Sequence, residues 1–251
     1  MKISKRVLKN GFIVLNVIPL IISGLSGCHR SDPLPPAIPG WDLVWHDEFS
    51  GKTIDLSKWT FEVNAEGGGN HELQYYTGRS DNAFLKDGVL HIQALEELYT
   101  GPEGTRDYTS ARMVTRDQGD WTYGRFEVRA KLPTGKGLWP AIWMMPTDSV
   151  YGSWAASGEI DIMELLGHEP YMVFGTLHYG GEWPYNTQSG DYYLLKDGRV
   201  FPDEFHTFTL EWEPREFRWY VDGELYQTQT AWFTDTGDFP APFDQRFYII
   251  L

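Results

Sequence analysis

Three carboxylates inside a short apolar run constrain this chain more than any other feature. The run is Gly158-Glu159-Ile160-Asp161-Ile162-Met163-Glu164-Leu165-Leu166-Gly167. Its Ile, Met and Leu residues mark a buried strand bounded by glycines. A buried carboxylate is costly unless it is paired or chemically engaged. Side chains alternate along a strand, so Glu159 and Asp161 share a face, and regular alternation turns Glu164 to the other. One extra residue, a β-bulge near Ile162 or Met163, returns Glu164 to the side of its neighbours.

With that bulge the Cα atoms of Glu159 and Glu164 stand about 13 Å apart, four strand steps of ~3.3 Å. Two Glu side chains leaning inward bring their carboxyls within reach of ~5–5.5 Å. That spacing suits displacement at a sugar carbon with retention, whereas inversion needs ~6.5–9.5 Å. Glu159 then reads as the nucleophile. Glu164 reads as the acid/base, with a pKa raised by burial and by its negative neighbours. Asp161, between them, shares a proton with Glu159 or tunes its charge. Acids on a water-facing strand are the competing reading, and the apolar flanks speak against it.

The run resembles the E-x-D-x-x-E signature of glycoside hydrolase family 16, in the bulged form that laminarinases use. The resemblance extends from Trp41 to Leu251. It implies an all-β, jelly-roll β-sandwich of concanavalin A type, with two curved antiparallel sheets and a concave substrate cleft. It also implies retaining endo-hydrolysis of β-1,3-glucan or of mixed-linkage β-1,3-1,4-glucan, with no cofactor for the chemistry. Asn70-His71-Glu72-Leu73-Gln74-Tyr75-Tyr76-Thr77 is similar to a laminarinase segment and points away from the galactan-cleaving branches. Two alternatives stay open: a non-catalytic sugar-binding sandwich, and a family 16 enzyme acting on another polysaccharide such as a galactan.

The resemblance also nominates supporting residues. Asn64 would sit at the cleft edge, and Arg112 would hold a sugar hydroxyl. Trp139 and Trp143, of like parity in Gly137–Pro146, would stack on glucose, with Trp183 as a cleft wall. His178, on the strand Val173–Gly180, would lie across from the acids and hydrogen-bond near the acid/base. Glu48, in the Asp47-Glu48-Phe49-Ser50-Gly51 segment, would hold a structural calcium with the Gly88 carbonyl. Core tryptophans, a solvated arginine, a structural histidine and a surface acid are the plainer readings of the same positions.

Composition narrows the ligand. Net charge is −14, which disfavours nucleic acid and anionic membrane surfaces. The 11 Trp suit stacking on neutral sugar rings as well as core packing. The expected partner is therefore a β-glucan polysaccharide, and nothing in the composition argues against a monomer.

Residues 1–28 read as a lipoprotein signal. Lys2, Lys5, Arg6 and Lys9 form a basic start, and Phe12 to Ile22 is apolar and short for a membrane span. Leu25-Ser26-Gly27-Cys28 resembles a bacterial lipobox, with Cys28 as the lipidated residue. Cys28 is also the 1 cysteine of the chain, so no intramolecular disulfide forms. Residues 29–40 are a Pro-rich linker and 41–251 the catalytic domain. The expected location is extracytoplasmic, anchored by lipid to a bacterial membrane, with the outer membrane or cell surface favoured.

Turn and alternation signals place the remaining strands. Asp87-Gly88 closes a hairpin between Ala83-Phe84-Leu85 and Val89-Leu90-His91-Ile92. Residues 97–108 read as a polar loop. Phe126, Val128, Ala130 and Leu132 alternate with Arg125, Glu127, Arg129 and Lys131, a half-buried antiparallel strand. Arg246–Leu251 reads as a strand of a sandwich whose closing C-terminal strands are missing, which would leave an unpaired edge.

Overall fold

The structure, a computed structural model, describes residues 1–6 and 33–251. The apolar stretch Phe12 to Ile22 and the lipobox Cys28 lie outside them. In chain order the strands begin with β1 (Lys2–Arg6), β2 (Trp41–His46), β3 (Thr60–Glu62), β4 (Gln74–Tyr76), β5 (Ala83–Lys86) and β6 (Val89–Ile92). There follow β7 (Leu95–Gly101), β8 (Gly104–Ser110), β9 (Arg112–Val114), β10 (Asp120–Trp121), β11 (Gly124–Ala130), β12 (Ala141–Pro146) and β13 (Glu159–Glu164). The last are β14 (Met172–Gly180), β15 (Asn186–Leu194), β16 (His206–Glu213), β17 (Glu216–Val221), β18 (Glu224–Gln229) and β19 (Phe247–Ile250).

Two antiparallel sheets form the sandwich. One runs β18-β17-β16-β11-β1-β2; the other runs β15-β14-β13-β12-β19-β9-β3, with β10 on β19. This is the all-β, jelly-roll fold that the resemblance implies. Alternation explains the layering. On β11 and β17 the residues Phe126, Val128, Phe217, Trp219 and Val221 are buried. They meet Ile142, Met144, Ile160, Met163 and Leu177 of the opposite sheet in one core cluster. The other face of β11, β16 and β17 carries charge, with Arg125 bound to Glu211 at 2.5 Å and Glu127 at 3.0 Å.

Three features depart from sequence expectation. Residues 97–108 are not a loop: β7 and β8 pair as a hairpin, with β4 added in parallel on β8. Much of this small sheet is solvated, so its residues lack the apolar alternation that marks a half-buried strand. Lys2–Arg6, in the segment expected to be a signal, forms a strand between β2 and β11, with Ile3 fully buried. Finally, β19 is an interior strand flanked by β12 and by β9 and β10, not an exposed edge.

Candidate active site

The bulge falls where the residues require it. Opposite β12, Ile142 pairs Met163 but Trp143 pairs Asp161, so Ile162 is the extra residue. Opposite β14, Asp161 pairs Thr176 and Glu164 pairs Phe174, again with one residue in excess. Ile160, Ile162 and Met163 go to the core, and Glu159, Asp161 and Glu164 fall on the far face. The bulge is held from the opposite sheet: the Trp219 indole N–H donates to the Asp161 carbonyl at 2.9 Å. Gly175, across from the bulge on β14, makes room, because a Cβ there would lie 2.6 Å from the Trp219 ring and 2.5 Å from the Tyr226 hydroxyl.

His178 stands opposite Glu159 in register. Its Nε2 is 3.2 Å from Asp161 Oδ2 and 3.9 Å from Glu159 Oε1. Two indoles complete the constellation from loops outside the strand. Trp154 Nε1 donates to Glu159 Oε2 at 2.5 Å, and Trp139 Nε1 donates to Glu164 Oε1 at 2.9 Å. Each outer carboxylate thus carries its own orienting tryptophan.

Electrostatics follow from depth. Burial, then the charge of Asp161, pushes Glu159 up to about 8, while His178 and the Trp154 hydrogen bond pull it back. Asp161 is 2% exposed, and burial followed by the Glu164 charge holds it well above the usual carboxylate range. Burial also raises Glu164, opposed by its bond from Trp139. The group therefore holds its protons to higher pH than free carboxyls do. A proton resting on the deepest member, Asp161, removes the charge that presses on Glu159 and lets Glu159 ionise.

Most nominated binding residues lie on this side of the sheet. Trp143 is paired with Asp161, and the Arg112 guanidinium lies over its ring at 4.7 Å. Arg112 also pairs with Glu62 at 2.9 Å, so it is fixed rather than freely solvated. Asn64 bridges Tyr76 through its backbone, and its side-chain oxygen accepts from the Glu66 amide at 3.3 Å. Tyr76 in turn lies under Arg112 at 6.0 Å, which links Asn64 to the outer part of this face. Trp183 is 71% exposed and its ring lies 6.2 Å from that of Trp154. Trp139 is 48% exposed.

Trp154 is the residue that sequence reasoning misses. It lies in Ser153-Trp154-Ala155-Ala156-Ser157-Gly158, with no alternation to assign it a face. Proximity to the acids, five positions before Glu159, is its one sequence signal. Glu48 lies just beyond the C-terminal end of β2. Its carboxylate faces the Met1 ammonium at 4.0 Å and His46 Nδ1 at 3.9 Å. Gly88 serves the β5–β6 turn with φ of +73°.

Carboxyl groups buried deeply enough to keep protons, on one face of an antiparallel sandwich beside exposed indoles, are the apparatus for cutting an acetal between sugars. That places the chain among the glycoside hydrolases. A family model described as glycosyl hydrolases family 16 matches residues 65–249, and the chain belongs to that family. It is 45% identical to a beta-glucanase of Rhodothermus marinus, over 100% of this chain and 86% of that protein. It is 44% identical to glucan endo-1,3-beta-glucosidase A1 of Niallia circulans over 87% of this chain, which spans only 34% of that longer protein. The solved laminarinase from Rhodothermus marinus superposes with a TM-score of 0.74 at 44% identity, covering 85% of this chain and 86% of that one.

Proposed function

We propose that the chain hydrolyses β-1,3-glucan internally, with retention, and accepts β-1,3-1,4-linked glucan as a further substrate class. The glucanase and laminarinase relatives support the substrate. The bulge that puts Glu164 on the face of Glu159 carries the chemistry. Glu159 attacks the anomeric carbon, aimed by Trp154. Glu164, held by Trp139, gives its proton to the leaving oxygen. Water then enters, Glu164 takes its proton, and the glycosyl–Glu159 ester is cleaved. Asp161 and His178 act behind Glu159, holding and exchanging the proton that keeps it ionised for attack. Trp139, Trp143 and Trp183 supply apolar faces for sugar rings, with Arg112 and Asn64 as polar contacts. Glu159→Ser tests the assignment: laminarin hydrolysis is lost while laminari-oligosaccharide binding by calorimetry persists. Turnover by that variant rejects the role of Glu159.

Lipidation at Cys28, and with it anchorage to a bacterial membrane, rests on the basic start, the apolar stretch and the lipobox. Cleavage before Cys28 would also remove β1 from between β2 and β11, so those two strands would need another partner. Intact-mass measurement of protein from the membrane fraction tests this reading. A monomer is the simplest assembly, read out by light scattering. A structural calcium at Glu48 and Gly88 rests on the family resemblance; a calcium-dependent thermal midpoint would support it.

A further inference from the structure

We propose that the face of β13 and β14 is also a binding site for a borderline-soft divalent cation, of which Zn²⁺ is the type, formed by Glu159, Asp161 and His178. One donor atom from each lies within 4.8 Å of the others. A tetrahedral zinc with bonds of ~2.0–2.2 Å spaces its donors by about 3.3–3.6 Å. His178 Nε2 stands 3.2 Å from Asp161 Oδ2 and 3.9 Å from Glu159 Oε1, so small side-chain rotations close the set.

The donors are disposed for a metal in other ways. Trp154 engages Glu159 Oε2 and leaves Oε1, the oxygen facing His178, for coordination. Asp161 Oδ2 is buried and accepts no hydrogen bond, on a residue 2% exposed. It faces His178 Nε2 at 3.2 Å, so its polar neighbour is itself a member of the proposed donor set. The His178 and Glu159 side chains are each 16% exposed, so an ion arrives from the cleft and keeps one position for water. An imidazole among two carboxylates favours Zn²⁺, Co²⁺ or Cu²⁺ over Ca²⁺ or Mg²⁺, which prefer all-oxygen shells.

A metal held there takes the lone pair that Glu159 needs for attack. Zinc is therefore a reversible inhibitor, a consequence that rests on the function proposed above; the binding itself does not. The test titrates the full chain, stripped with chelator, with Zn²⁺ by calorimetry and with Co²⁺ by visible absorption. The expected result is one ion per chain and an intense tetrahedral Co²⁺ spectrum. His178→Gln, checked for folding by circular dichroism, weakens binding at least about tenfold. Asp161→Asn provides the same readout should His178→Gln fail to fold. Glu164→Gln abolishes turnover yet still binds the ion, because Glu164 is outside the set. Absence of a one-site isotherm, or unchanged binding in the two folded ligand variants, overturns the proposal. Zinc binding by a chain that does not hydrolyse laminarin would sink the function and leave the metal site standing.

Discussion

Asp161 and Glu164 lie on the same face of β13 although three positions separate them, because Ile162 is an unpaired extra residue opposite β12. With Ile162 present, only that irregularity brings Glu164 onto the face of Glu159 and Asp161. Removing Ile162 makes the strand regular, with Glu159, Asp161 and Glu164 now alternating in perfect period two. We expect the deletion to lose stability, through one less buried side chain, but to keep measurable laminarin hydrolysis. Inserting Ala between Met163 and Glu164 instead drives Glu164 into the core, where an uncompensated carboxylate costs about 3–5 kcal/mol. That variant should melt far lower and release no reducing sugar.

Gly175 should be intolerant of even one methyl group. Its Cβ would meet Trp219 and the Tyr226 hydroxyl at 2.5–2.8 Å. Gly175→Ala therefore displaces the indole that bonds the Asp161 carbonyl. Overpacking of this kind costs about 1–3 kcal/mol. Thermal unfolding reads the stability, and a larger fall in kcat than in substrate affinity would trace the damage to the bulge.

The two orienting tryptophans should move opposite limbs of the pH profile. Trp154 lowers the pKa of Glu159, so Trp154→Phe raises it and shifts the acidic limb of kcat/KM to higher pH. Trp139 lowers the pKa of Glu164, so Trp139→Phe shifts the alkaline limb upward. A hydrogen bond worth ~1 kcal/mol corresponds to a displacement of about one pH unit or less. Interchanged limbs would reverse the roles given to the two glutamates.

The acid cluster should make the fold less stable as pH rises. Glu159, Asp161 and Glu164 all have folded-state pKa values above their ordinary ones. Their native forms bind more protons than the unfolded chain. Their contribution is therefore fully present below about pH 4 and lost as pH climbs, for Glu159 through about 8. Asp161→Asn should raise the thermal midpoint at pH 8 more than at pH 4, by roughly 2–4 °C per kcal/mol recovered. Activity should fall in the same variant, as Glu159 loses its proton partner.

The strand carrying the acids and its bulge were legible in the residues, whereas His178, expected beside the acid/base, stands opposite Glu159 and nearest Asp161. Period-two alternation is a local rule, and three carboxylates among Ile and Met leave few ways to satisfy it. The same rule located Phe126 and Val128 inside and Arg125 and Glu127 outside. It failed for Leu95–Gly101 and Gly104–Ser110, because a solvated hairpin has no apolar face to announce it.

Other relationships came only from the assembled sandwich. Nothing in Ser153-Trp154-Ala155 says that its indole will reach Glu159, or that Trp219 from the opposite sheet will hold the Asp161 carbonyl. The place of Lys2–Arg6 between β2 and β11 is likewise a matter of which strand fills a gap in a sheet. The order of residues along the chain fixed which acids share a face. How deep they lie, and therefore how they hold protons, was decided by packing between segments far apart in sequence, since desolvation depends on everything that surrounds a group and not on its neighbours along the chain.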